Sequence, residues 1–193
     1  QVMDTFWPDK DPASAQPLLY HATSILRRAL GPDLPEKFPC RYLKVEDGNI
    51  ILALPPDSEV DYEAFQTCIC QEDWDAALAS YTGAFLPEYP YAGWAEAHRR
   101  RLAEYYQHAL LHKAAEWIET QHFQQALDAC QKILADDPWQ EQAVLLGMRA
   151  CLKLGKKADA LRLYRTLEKV LSSELGIEPQ LELQTLYQSL QKR

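Results

Sequence analysis

"QHFQQAL" at residues 121–127 returns 34 residues later as "GKKADAL" at 155–161, and both end in Ala-Leu. An earlier relative, "EDWDAAL" at 72–78, stands 49 residues ahead of the first, which is the same period with fifteen residues inserted. The insertion is expected around "FLPEYPYAGW" (85–94), where Pro87 and Pro90 break helix. A small residue at Ala77, Ala126 and Ala160 lets the second helix of a pair approach the first. Trp117, Phe123, Leu127 and Leu161 are expected to supply the buried bulk. Pro138 should stop one helix and Gly155 should turn the chain into the next. One such pair cannot bury its own apolar stripe, so the pairs must stack.

A 34-residue period is that of a tetratricopeptide repeat. The landmarks around it are more specific. "VDYEAF" (60–65), "LPEYPYAGWAEAHRRRLAEYY" (86–106) and "LSSELGIEPQLELQTLY" (171–187) resemble those of the bacterial transcriptional activator domain, the repeat module of SARP-type regulators. The likeness runs from about residue 57 to the end. Its most diagnostic part is "ELGIEP", a helix stop at Gly176 with a fresh start after Pro179. It implies a regulatory, protein-facing α-helical domain.

The front third resembles the later part of an OmpR-type winged helix. "QVMDTFWPDKDPASAQPLLYHATSILRRALGP" is similar to a second helix ending in an aromatic-Trp-Pro corner, followed by a recognition helix ending in Arg-Arg-Ala-Leu. "RYLKVEDGNIILAL" is similar to the wing hairpin, turning at Asp47-Gly48-Asn49. The first sheet and first helix of such a module find no counterpart here, so a fragment of a longer protein is expected. "LGPDLP" and "LPEYPYAGW" are similar to segments of large regulators that also carry a nucleotide-binding signalling domain.

The expected fold is therefore mainly α. A partial winged helix with a two-stranded β-wing (1–56) precedes a tetratricopeptide-like repeat domain (57–193). Leu19, Ala22 or Thr23, Leu26 and Leu30 would face inward on the recognition helix, with Ser14 as cap so that Pro17 falls in its first turn. Gln16, Tyr20, His21, Ser24, Arg27 and Arg28 would face outward. Arg reaches guanine or phosphate and Gln can pair with adenine, and Arg41 and Lys44 on the wing would meet the adjacent backbone. Two arginines in a last turn also simply complement the helix macrodipole. Ile25 and Thr23 depart from the family's usual pattern.

Charge sets limits on partners. The chain carries a formal -8, but residues 1–56 hold six basic and seven acidic residues while the rest holds 14 and 21. Nucleic-acid contact belongs in the near-neutral front, and the acidic rear favours protein partners. Aligning Ala126 with Ala160 places His108, Leu111, Ala115 and Glu119, then Gln142, Leu145, Arg149 and Lys153, along one concave groove. Either a peptide or further domain fills it, or neighbouring helices and the closing helix 180–191 do.

Other chemistry finds little support. Glu104, His108, His112 and Glu116 follow at i,i+4 on one helix, a spacing that can hold a metal, but a solvated face is the preferred reading and no metal site is expected. Cys68 and Cys70 are read as buried small residues, and the five cysteines lack zinc or disulfide spacing. No catalytic constellation stands out, so no enzyme and no cofactor are expected. There is no apolar run of membrane length and no signal-peptide pattern, and a cytoplasmic protein with reduced thiols is expected. The implied function is transcriptional activation in a bacterium. Its partners would be double-stranded DNA, RNA polymerase or a further regulatory domain, and a second copy in a homodimer. The competing class is a protein-interaction scaffold that has lost DNA binding.

Overall fold

A computed structural model describes residues 2–31, 40–46 and 49–191. The expected wing turn at Asp47 and Gly48, and most of "LGPDLP", lie outside the described residues. The chain divides into two compact units, Gln1–Val60 and Asp61–Arg193.

In the first unit, α1 (Val2–Phe6) leads through Trp7 into α2 (Pro12–Leu30). An antiparallel hairpin follows, β1 (Leu43–Glu46) against β2 (Asn49–Leu52), with Leu43 opposite Leu52 and Glu46 opposite Asn49. The start of α2 corrects one expectation: Asp11, not Ser14, is the cap. Its carboxylate accepts from the backbone N–H of Ala13 at 3.0 Å and of Ser14 at 3.1 Å, and Pro12 takes the first helical position. Pro17 consequently lies inside the helix, which runs through it.

The Asp11 carboxyl is held below the usual carboxylate range, chiefly by its hydrogen bonds to the Ser14 side chain and backbone. A depressed folded value means the cap acts fully above the unfolded pKa and fades as pH falls through the folded one. The Ala13 and Ser14 amide resonances should therefore shift together as pH drops from about 6 to about 2. In Asp11→Asn, which caps without titrating, they should stay put; a titration persisting in that variant would assign it elsewhere.

The second unit stacks helical pairs: α3 (Asp61–Cys70) with α4 (Trp74–Ser80), α5 (Gly93–Glu119) with α6 (Phe123–Asp136), and α7 (Glu141–Lys153) with α8 (Lys157–Val170). A π-helical turn (Leu171–Leu175) and α9 (Leu181–Gln191) close the array. Ala77, Ala126 and Ala160 expose no surface, as their place at the helix contacts requires. α6 stops at Asp136 ahead of Pro138, and Gly155 (φ +73°) turns α7 into α8. Gly176 (φ +65°) ends the π-turn, donating its N–H to the Leu171 carbonyl.

The buried bulk differs from expectation. Leu127 is buried, but Trp117, Phe123 and Leu161 are only half-buried. The fully enclosed large side chains are Ile133, Val144, Met148, Leu167, Leu171 and Leu183, which face the seams between α6, α7, α8 and α9. Cys70 is exposed and Cys68 half-buried, so neither is the core residue expected, whereas Cys130 and Cys151 are buried. Burial pushes the Cys130 thiol up to about 12, with Cys151 adding to the shift. Such a thiol is inert at neutral pH.

Candidate nucleic-acid interface and repeat groove

On α2, Ala15 and Thr23 are buried, with Leu19, Ala22, Arg27 and Leu30 half-buried beside them. The Thr23 hydroxyl donates to the Tyr20 carbonyl at 3.0 Å, which satisfies the polar group that an apolar residue would replace. Two expectations change here. Leu26 is exposed, and Arg27 takes the half-buried place on the inward side. One residue along a helix is a rotation of about 100°, so the boundary of the buried stripe falls between these neighbours.

Gln16, Tyr20, Ser24 and Arg28 repeat every fourth residue and form one exposed stripe, with His21 exposed beside it. Within the stripe the Gln16 amide donates to the Tyr20 hydroxyl at 3.3 Å. Ile25 is also exposed, an apolar residue beside a polar stripe. On the hairpin, Leu43 is buried and Lys44 exposed opposite Ile51; Arg41 is exposed just before the strand. The stripe, Arg41 and Lys44 thus offer donors and cations on a helix and a hairpin of one unit. The same unit leaves Val2, Phe6, Leu18, Val45, Ile51, Leu52 and Leu54 exposed, a large apolar surface for so few residues.

In the second unit the groove residues divide. Leu111 is buried in the core, Ala115 is half-buried, and His108 and Glu119 are exposed on α5. On α7, Gln142, Arg149 and Lys153 are exposed and Leu145 half-buried. Arg149 pairs with Glu182 of α9, and the Glu141 carboxylate accepts the Gln180 N–H at 2.6 Å. A hollow of about 620 Å³ lies here, lined by Leu145, Arg149, Leu181, Glu182 and Leu186. Gln142 borders the adjoining hollow with Trp139 and Leu183. The α5 residues and Lys153 line neither, so this end of the groove is shaped by α7, α9 and the residues that lead into them, Trp139 and Gln180 among them.

Three side chains to which the repeat pattern assigns no role, Lys113, Arg99 and Trp74, hold the front of this unit. Lys113 on α5 is 3% exposed and bonded to Asp75 of α4 and to Glu116. Burial alone would lower its pKa, but the Glu116 and Asp75 carboxylates outweigh that and raise it. Arg99 binds the carbonyls of Phe85 (2.9 Å), Pro90 (3.2 Å) and Leu86 (3.5 Å), and that of Tyr89. Trp74 stacks on His112. Lys113 to Asp75 spans 38 residues and Arg99 to Phe85 spans 14, and Trp74 meets His112 across two helices, so these pairings carry no local sequence pattern. Among the described residues no group of three or more His, Cys, Asp or Glu is gathered as for a metal, and no helix is long and apolar enough to cross a membrane.

Comparison with known proteins places both units in context. A family model described as the bacterial transcriptional activator domain matches residues 60–191. The regulatory protein AfsR of Streptomyces griseus is 26% identical over 195 residues, 98% of this chain and 20% of that protein. AfsR of Streptomyces coelicolor is 25% identical over 196 residues, with the same coverage of 98% and 20%. The chain thus spans about a fifth of the length of the curated relatives it matches. A solved structure of Mycobacterium tuberculosis EmbR in complex with a low affinity phosphopeptide shares the fold, at TM-score 0.75 and 20% identity over 98% of this chain and 53% of that one.

Proposed function

The chain belongs to the bacterial transcriptional activator domain family, and on that premise we propose that it is part of a cytoplasmic SARP-type transcriptional regulator. Residues 1–56 are the DNA-contacting section, a partial winged helix, and residues 57–193 are the protein-facing repeat domain. The observation that carries this reading is the exposed stripe Gln16, Tyr20, Ser24 and Arg28 on α2, in one unit with Arg41 and Lys44 on the hairpin. Arg27, half-buried, serves the phosphate backbone rather than base edges. The exposed apolar residues of this unit support its completion by a segment upstream in a longer protein. The acidic rear supports a partner such as RNA polymerase, a further regulatory domain or a second copy. EmbR's complex with a phosphopeptide lends weight to that protein-facing role.

The test compares this chain with a version extended upstream by roughly the 50 residues that complete a winged helix, on fragmented genomic DNA. If Arg27, Arg28, Arg41 and Lys44 each neutralise one phosphate, log affinity falls against log salt with a slope of about -3 to -4. Replacing Arg28 and Lys44 by Ala should flatten it by about two units. Enrichment of repeated half-sites by the extended form establishes the activator reading. If neither form enriches any fragment above non-specific binding at low salt, the DNA reading fails and the scaffold reading replaces it.

A further inference from the structure

His108 and His112 lie one turn apart on α5, and their Nε2 atoms face each other at 3.2 Å. Trp74, the first residue of α4, fixes both rings. Its indole lies flat on His112, with centroids 4.5 Å apart and planes 14° apart, and meets His108 nearly edge-on at 5.4 Å and 75°. Both imidazoles are exposed. The neighbouring carboxylates of Asp75 and Glu116 are taken by Lys113, which leaves the two ring nitrogens as the donors at this point.

The separation is that of a chelate. Two metal–nitrogen bonds of about 2.0–2.1 Å at a tetrahedral angle put their nitrogens about 3.3 Å apart. As a hydrogen bond, 3.2 Å is at the long end for a nitrogen donor, and it would commit the rings to opposite tautomers. We infer that His108 and His112 form a two-ligand site for a divalent transition ion that favours imidazole, of the zinc, nickel or copper class, with water completing the coordination. Trp74 is a positioning residue: stacking restrains His112, so less ring freedom is lost when the ion binds. The ion staples one exposed turn of α5 where α4 packs on it.

Copper(II) and zinc(II) salts alone are the probes, added to the whole chain after stripping with a chelator. Copper should quench tryptophan emission saturably, and zinc calorimetry should give about one ion per chain. His108→Ala and His112→Ala should each abolish both signals. His21→Ala, His98→Ala and His122→Ala should retain them, as should Cys68→Ser with Cys70→Ser. Trp74→Phe should still bind zinc while losing most of the copper quenching. The two histidines are exposed, so their variants keep the fold, which circular dichroism checks. Absence of saturable binding by either metal overturns the site. So does binding that survives both histidine variants or disappears with the cysteines.

Discussion

Ile133→Ala lowers the melting temperature of the repeat unit by on the order of 10 °C. Ile133 exposes no surface and sits on α6, the helix packed against both α5 and α7. The substitution removes buried carbons and leaves a void that the other buried residues of the same core cannot fill without leaving their own contacts. Core truncations of this kind cost about 2–5 kcal/mol, and a domain of this size loses about 2–4 °C per kcal/mol. Because each pair of a stacked array contacts only its neighbours, damage at a central helix weakens two interfaces at once. Leu181→Ala supplies the contrast: Leu181 is 78% exposed, and its loss should change stability by less than about 0.5 kcal/mol. Thermal and urea unfolding followed by circular dichroism measure both. A cost below about 1 kcal/mol for Ile133→Ala would mean that the α6 seam is not the centre of the core.

That seam is legible in the sequence, because a repeat writes itself at fixed spacing. Ala77, Ala126 and Ala160 fall at the close approaches, and Pro138, Gly155 and Gly176 fall at the chain reversals, where the backbone admits few alternatives. The identity of the buried bulk was less legible. Phe123 and Trp117 are large and apolar, yet they are only half-buried, while Val144 and Met148 are enclosed in the core; which stripe meets which depends on tertiary packing, not on period. The same holds on α2, where Leu26 and Arg27 exchange their expected sides across a boundary one residue wide. Asp11 as cap was hidden by Pro17, whose missing N–H costs a hydrogen bond without ending the helix. The π-turn at Leu171–Leu175 has no composition of its own and shows only as a misfit between α8 and Gly176.

The candidate sites divide the same way. The outward stripe of α2 follows from helical period and was readable, and so was the i,i+4 pairing of His108 with His112. What sequence could not supply was the convergence of their Nε2 atoms and the stacking of Trp74, because α4 and α5 are joined by a long irregular segment. That segment, residues 81–92, carries the helix-breaking Pro87 and Pro90, and its order rests on one side chain.

Arg99→Ala should free the segment between α4 and α5 while leaving α6, α7 and α8 intact. The Arg99 side chain is 15% exposed and its guanidinium reaches the carbonyls of Phe85, Leu86, Tyr89 and Pro90. Leu86 is held at φ +49°, a left-handed conformation that costs a branched residue about 1–2 kcal/mol and persists only while its surroundings enforce it. Removing the guanidinium releases that strain and leaves several carbonyls to find water, a local loss of about 2–4 kcal/mol. Phe85 then loses its seat against Tyr62, with ring centroids now 5.8 Å apart, and against His98 at 5.9 Å. Amide exchange across residues 81–92 should accelerate by one to three decades, about 1.4 kcal/mol to each decade. Chymotrypsin should cut faster after Tyr91, a side chain already 98% exposed in the native chain, whereas Pro90 shields the bond after Tyr89. Arg99→Lys should recover little, since an ammonium cannot present a planar fork to several carbonyls at once. Unchanged exchange in Arg99→Ala, or full recovery in Arg99→Lys, would show that the segment is held by Phe85 and its aromatic neighbours and not by the guanidinium.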